Sequence, residues 1–341
     1  MNMKLSKDQR GVAFIAELLV FVVITALVGY IGWRIMQSRG DKTGAGEVAV
    51  QQGASKTKSA KSWQEAGYAV KGTFADADIV QIGENKWRLY YSIQPEVQGN
   101  NFEVYSSVSS DGKTWTKEPG TRKTMATFPN VVKMSDGKYR MYYQNAGVIK
   151  SATGSDGLNF TDDLGTRVDT SNSQSLALDN VAAPTVYLMD GGTYLMVYRG
   201  TINKRYAADT PNSVTQLLFW ATSKDGLSFT KKGVAIDTRN DTLRGQLDGP
   251  SIVKWDDGKL HVFSTTYAGV YEFVFENNKF STGSLAFTLD SGSTGTNTPA
   301  GTPQMVAAPP GDPTLAKVDG VWHMYYGATG EKSGIHYAIY K

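Results

Sequence analysis

The chain has 341 residues, 40% of them hydrophobic and 20% charged, which supplies a large core plus an accessory segment and excludes disorder throughout. A net charge of +3 is too small for a nucleic-acid binder, and no basic stripe interleaved with exposed aromatics accompanies it. The absence of cysteine excludes disulfides and thiolate metal sites.

In chain order, residues 1–11 read as a leader or cytoplasmic stub. From Val12 to Trp33 the sequence is apolar except for Glu17 and a few small or hydroxyl residues. That run is long enough to cross a hydrocarbon core of roughly 30 Å, so a single transmembrane helix is expected over 12–36. Lys4, Lys7 and Arg10 precede it and Arg34, Arg39 and Lys42 follow it, so flanking charge leaves the orientation open. The string Lys7-Asp8-Gln9-Arg10-Gly11, followed by VAFIAELLVFVVITALVGYI, resembles the class III signal of type IV pilins and pseudopilins. The resemblance implies cleavage after Gly11, a single-pass protein of the cell membrane with its bulk extracellular, and a pilin-like assembly in which Glu17 meets a neighbour's amino terminus. Glu17 would be the sixth mature residue, whereas the pilin Glu is the fifth. A plain uncleaved anchor, with Glu17 near the interface, is the other reading of the same residues. Residues 37–62, rich in Gly, Ser, Ala, Lys and Gln without apolar periodicity, read as a flexible linker.

The globular unit starts near Trp63. Five times between residues 74 and 326 a short β-branched run, a polar turn with Asp or Asn and Gly, and an aromatic-rich alternating run follow one another. The copies are DADIVQIGENKWRLYYS, FPNVVKMSDGKYRMYYQ, APTVYLMDGGTYLMVYRG, GPSIVKWDDGKLHVFST and DPTLAKVDGVWHMYYGA. Each reads as a β-hairpin. The equivalent positions Ala77, Pro129, Pro184, Pro250 and Pro313 recur at spacings of about fifty to sixty-six residues, the length of one four-stranded propeller blade with its loops. The expected fold is all-β: a five-bladed β-propeller over 63–341, preceded by a single N-terminal transmembrane helix and a flexible linker.

Three further segments share an S-x-D-G-x-x-[WF] pattern, slightly shortened in the second: Ser109 to Trp115, Ser155 to Phe160 and Ser223 to Phe229. Asp-Gly supplies a tight turn whose carboxylate caps backbone N–H groups, so Asp111, Asp156 and Asp225 read as structural. Taken together, the five hairpin starts and these turns make residues 63–341 resemble the five-bladed propellers of glycoside hydrolases, the family-43 arabinanases and xylosidases and their relatives acting on fructans and mannosides.

In that family the first strand of each blade delivers its leading residue to a central pocket, and three carboxylates act together: an acid, a base about 6.5–9.5 Å away in inverting enzymes, and a tuner. By resemblance, Asp76 matches the first-blade Asp and is the expected base. Asp78, two residues on along the strand, shares its face and is a reserve or substrate-binding residue. Leu247-Asp248-Gly249-Pro250 matches the family's E-G-P motif with Asp in place of Glu, so Asp248 is the expected acid. An Asp is one methylene shorter, and a misplacement of about 1 Å costs on the order of a hundredfold in rate. The third blade departs further, with Ala183 where the family carries its tuning Asp. Asp312, before Pro313, is the substitute tuner or a partner to a sugar hydroxyl, and its bland reading is a turn carboxylate. Arg199 and Arg244 are expected at the rim, able to fork onto hydroxyls or a carboxylate; Trp220 and Trp255 are expected between blades.

His261, His323 and His336 show no metal-like spacing, and no nucleophile elbow or phosphate loop is visible, so neither a metal nor a cofactor is expected. Three functions remain open at this point: a surface-anchored inverting glycosidase, a non-catalytic carbohydrate-binding propeller, and a pilin-like surface-assembly subunit with a displayed head. Residues 281–304, rich in Ser, Gly and Thr, read as a long insertion before the fifth blade.

Overall fold

The computed structural model describes residues 62–341 apart from 95, 96, 98, 100, 172–175, 290–308 and 329–331. The expected leader over 1–11, the expected transmembrane helix over 12–36 and all of the expected linker except Ser62 fall outside the described residues. No helix among the described residues is long and apolar enough to cross a membrane.

Five antiparallel sheets follow one another in sequence. The first blade is β2 (Phe74–Gly83), β3 (Lys86–Ile93), β4 (Val104–Ser109) and β5 (Thr116–Lys117). The second is β6 (Thr127–Lys133), β7 (Tyr139–Asn145), β8 (Val148–Gly154) and β9 (Thr161–Asp162). The third is β10 (Asn180–Leu188), β11 (Tyr194–Ile202), β12 (Thr215–Ser223) and β13 (Thr230–Ile236). The fourth is β14 (Asp248–Lys254), β15 (Leu260–Thr266), β16 (Gly269–Glu276) and β17 (Lys279–Phe280), with β18 (Ser284–Phe287) also pairing with β16. That last strand is built from the front of the segment expected to be loop. The fifth blade is β19 (Gly311–Val318), β20 (Val321–Ala328) and β21 (Gly334–Tyr340), and its outermost strand is β1 (Trp63–Lys71) from the other end of the unit. Pairing runs from Trp63 against Tyr340 to Lys71 against Gly334, which closes the ring without leaving β21 as an open edge.

The three DG segments join three of the five pairs of neighbouring blades. Asp111 Oδ1 accepts the N–H groups of Lys113 and Thr114 at 2.8 and 2.7 Å, as a capping carboxylate should. The turn's glycine carbonyl then receives a tyrosine hydroxyl from the preceding blade: Tyr90 to Gly157, Tyr142 to Gly226 and Tyr325 to Gly112, at 2.7 to 2.8 Å. The closing aromatic of each segment packs edge-on against that same tyrosine, as Trp115 does on Tyr325 with centroids 5.4 Å apart. Trp220 meets Phe275 of the fourth blade and Trp255 stacks on Trp322 of the fifth, so both tryptophans fill space between blades.

Every inner strand breaks register at an equivalent place, and β2 does so a second time between Gln81 and Gly83. The equivalent breaks fall between Ala75 and Asp78, Thr127 and Asn130, Ala182 and Thr185, Asp248 and Ser251, and Gly311 and Thr314. Each contains one residue in the left-handed region: Asp76 (φ 54°), Phe128 (50°), Ala183 (47°), Gly249 (50°) and Asp312 (44°). Four of the five are followed by proline, which has no N–H to give the ladder, and the bulge is where that loss is absorbed. For the four residues other than glycine the conformation costs roughly 1–2 kcal/mol each. At Gly249 no other residue fits, because a Cβ there would overlap Asp312.

Just past four of the five bulges a polar side chain points to the next blade. Asp78 accepts the Val131 N–H at 2.7 Å, Asn130 the Val186 N–H at 2.9 Å, Thr185 the Ile252 N–H at 3.1 Å, and Thr314 the Ile79 N–H at 3.2 Å. These struts tie the inner strands into a collar that fixes where the bulge residues stand.

Candidate active site at the propeller axis

The bulges bring Asp76 from the first blade and Asp312 from the fifth side by side, hydrogen-bonded to each other through their carboxyl groups. Asp76 is 7% exposed. The Phe128 N–H donates to its Oδ2 at 3.3 Å and to Ser92 Oγ at 3.2 Å. Burial raises the Asp76 pKa to about 6, against the opposing pull of the Ser92 and Phe128 hydrogen bonds and with a further push from the charge of Asp248. Asp312 reaches the cavity with part of its surface, but the packed surroundings strip most of its hydration. Its pKa lies well above the ordinary carboxylate value, first through desolvation, then through the negative charges of Asp248 and Asp76, with Arg199 pulling the other way. Two acids sharing a hydrogen bond in such a place titrate as a unit that keeps one proton.

Asp248 immediately precedes the fourth bulge. Its Oδ2 accepts Arg199 Nη1 in an ion pair and Gln216 Nε2 at 3.2 Å, and its Oδ1 accepts the Gly249 N–H at 2.8 Å. The Arg199 guanidinium lies over the Phe128 ring, 5.1 Å from the centroid. Arg199 is thus fixed from two sides, by a carboxylate and by an aromatic face. Thr265 receives the Asp312 N–H at 2.9 Å and donates to the Pro310 carbonyl at 3.0 Å, which holds the fifth bulge against the fourth blade.

Asp78 also lines the axis, with different partners. Both of its oxygens are engaged by the second blade, through Asn130 Nδ2 at 2.9 Å and the Val131 N–H at 2.7 Å, and burial lifts its pKa to about 7. Arg244 stands apart from the three acids and donates to Asp209 Oδ2 at 2.5 Å. Ala183 brings a methyl group to the axial wall, and Asp179 stays exposed with Asn180 as its partner. The space between the inner strands is narrow, about 30 Å³, enough for a water and too small for a sugar ring.

The structure therefore gathers Asp76, Asp312, Asp248 and Arg199, keeps Asp78 in the collar below, and leaves Arg244 to the side. Sequence reasoning missed Phe128, Ser92 and Gln216. Phe128 was findable, since it precedes the repeated proline; nothing local marks Gln216. No grouping of His, Asp and Glu among the described residues is arranged to hold a metal ion. His336 packs against the Tyr68 ring, with centroids 4.0 Å apart, and its Nε2 meets the Lys332 carbonyl at 2.8 Å.

No family model and no curated protein matches this sequence. Solved structures do match its fold. One described as a glycoside hydrolase has a TM-score of 0.58 at 15% identity, with 82% of this chain and 91% of that chain covered. A thermostable family-43 glycoside hydrolase has a TM-score of 0.56 at 14% identity, with 79% and 88% covered. A third, with a TM-score of 0.53 at 15% identity and 80% and 85% covered, comes from work on the GH130 family of mannoside phosphorylases, which contains glycoside hydrolases that target β-1,2 mannosidic linkages in Candida mannan. At these identities the likeness is one of fold.

Proposed function

We propose that the axial mouth of the propeller is a glycan site and that it hydrolyses a glycosidic bond. The observation that carries the reading is the carboxyl pair Asp76–Asp312 facing an Arg199-held Asp248, three acids from three blades at one opening. Glycoside hydrolysis needs one acid that holds its proton and a second carboxylate that activates water or stabilises positive charge. The pair supplies the proton. Asp248, bound to Arg199, is the opposing carboxylate. This reverses the roles expected from the family resemblance, because the proton is sought where burial and a like charge retain it. A glycan would lie across the mouth, since the axis admits only water. The glycoside hydrolase folds among the structural neighbours support a carbohydrate substrate.

The experiment is incubation of the protein with a panel of oligosaccharides and aryl glycosides, with products read by mass spectrometry. Release of a shortened sugar by the wild type, abolished in Asp76→Asn and Asp248→Asn, is the expected result. A second reading, a binding propeller without turnover, is favoured by Ala183 at a bulge position where an acid would complete the set. It predicts saturable sugar binding that Asp76→Asn leaves nearly intact. In either case a span over 12–36 would hold the site at the cell exterior. Protease accessibility of the propeller on intact cells tests that, and loss of any membrane assembly in Glu17→Ala tests the pilin-like part.

A further inference from the structure

Beside Asp248 the propeller carries an arginine whose hydrogen-bonding capacity is largely unused. Arg244 is 5% exposed and its backbone is in the left-handed region, at φ 50°. Its guanidinium has five N–H donors, yet among the described residues only Nη2 has a partner, the carboxylate of Asp209, and Nε is buried with none. The Nε groups of Arg122, Arg167 and Arg199 are likewise buried without a partner, and Arg199 also meets one carboxylate, that of Asp248, but the two arginines that bridge blades use both Nη groups. Arg122 spends its two Nη groups on the carbonyls of Pro119, Gly120 and Leu158, and Arg167 on those of Leu164 and Leu227. Those are struts. Arg244 has a single bond to a side chain that is itself 48% exposed.

The Asp209 carboxylate belongs to the loop between β11 and β12, which rests on the same corner: a Cβ at Gly245 would come within 2.5 Å of Tyr206 Cβ. The loop also brings Lys204 and Arg205, both exposed and neither ion-paired among the described residues, and Arg205 meets only the Thr210 carbonyl. Tyr267, within electrostatic reach of both Arg205 and Arg244, accepts the Asn212 N–H at 3.3 Å. Asn212 in turn bonds Gln246, and its Nδ2 lies 3.5 Å from Gln216 Oε1, which links this corner to Asp248 through the Gln216 bond at 3.2 Å. Arg244, Lys204 and Arg205, with the exposed carboxylate of Asp209 among them, stand where the β11–β12 loop of the third blade meets the segment leading into the fourth.

We infer that this corner recognises a carboxylate on the substrate, so that the glycan is one containing uronic acid, with Asp209 occupying the place of the substrate carboxylate when no glycan is bound. The inference rests on the glycan reading above. A planar guanidinium pairs with a carboxylate through two parallel bonds, and the partner Arg244 already has is a carboxylate at the solvent edge. Displacement of Asp209 leaves it in water, where its exposure shows it is already half solvated, and delivers the buried cation to the sugar.

The test uses the full chain carrying Asp76→Asn, so that binding is read without turnover, and titrates it calorimetrically with trimers of galacturonic and glucuronic acid and with the neutral galactose and glucose trimers. The expected result is binding of a uronate trimer over its neutral counterpart, weakened about tenfold by Arg205→Gln and lost in Arg244→Gln. Asp209→Asn should tighten uronate binding several-fold, an outcome that a merely structural Arg244–Asp209 bond would not give. Because Arg244→Gln removes a buried group, its melting curve is recorded alongside; Arg205 and Asp209 are exposed, and their variants carry the test if Arg244→Gln fails to fold. Neutral trimers bound as well as uronates, with no effect of Arg205→Gln or Asp209→Asn, would overturn the inference and leave the glycan site standing. Binding of none of the four trimers would overturn both. Inorganic phosphate bound in an Arg205-dependent way without any uronate binding would overturn the assignment to a sugar carboxylate.

Discussion

Asp76 and Asp312 lie at opposite ends of the propeller sequence, in the first and last inner strands, and their carboxyl groups are hydrogen-bonded to each other. They are neighbours because the fifth blade closes against the first, with β1 paired to β21 and Thr314 accepting the Ile79 N–H at 3.2 Å. Each stands at a left-handed bulge residue, so the backbone strain at this face is located where the acids meet.

The buried acids make stability depend on pH in a defined direction. Asp76 is raised to about 6, Asp78 to about 7, and Asp312 well above its ordinary value, all mainly through burial. Their folded pKa values exceed the unfolded ones, so the folded state binds more protons. Stability from these groups is full below about pH 4 and is lost as pH rises through 6 and 7. Thermal melts should therefore fall between pH 5 and pH 8, by a free energy on the order of a few kcal/mol. Asp78→Asn should flatten that slope; an unchanged slope would show that Asp78 does not titrate in this range.

Asp76 and Asp312 should behave as one unit in mutagenesis. Each single change to Asn removes the shared proton arrangement, so the double variant should be little worse than either single one in any hydrolysis detected. Each should cost about 10²-fold or more in turnover. Multiplying losses in the double variant would show two independent groups.

Gly249→Ala should destabilise the propeller by about 2 kcal/mol or more, since the residue has φ 50° and an added methyl group would overlap Asp312. Chemical denaturation reads the change. A neutral result would mean that the fourth bulge can relax.

Removal of β1, residues 63–71, should open the ring. The outer edge of β21 would then expose unpaired backbone groups, and the expected outcome is loss of the cooperative melt together with aggregation. A chain beginning at Ser62 should melt like the full-length protein. Scattering and calorimetry distinguish the two.

Most of the fold was legible because it is local and repeated. A hairpin with its turn residues is visible in one stretch of sequence, and five of them at blade spacing leave little choice of architecture. The pairing of Trp63–Lys71 with β21 was not legible, since its partner lies at the other end of the chain. The site divides the same way. Asp76, Asp248 and Asp312 could be marked by their positions before Ala77, Gly249 and Pro313. That Asp78 serves as an acceptor for the Val131 N–H depends on a neighbouring blade, and the bulge between Ala75 and Asp78 breaks the alternation by which the two acids were expected to act alike. Arg199 was expected at the rim, and its partner Asp248 and its cover Phe128 come from the two flanking blades. The residues before 62 lie outside what the structure describes, so the membrane and pilin-like expectations rest on sequence alone.

The shared proton of Asp76 and Asp312 is the claim on which the functional reading turns, and an NMR titration of aspartate side-chain carbons in the wild type and in Asp312→Asn measures it directly. The account predicts that the wild-type pair titrates in two linked steps, one near 6 and one well above the usual range, and that Asp312→Asn collapses them to one. Asp76 and Asp312 both titrating independently near the ordinary value of about 4 would contradict it.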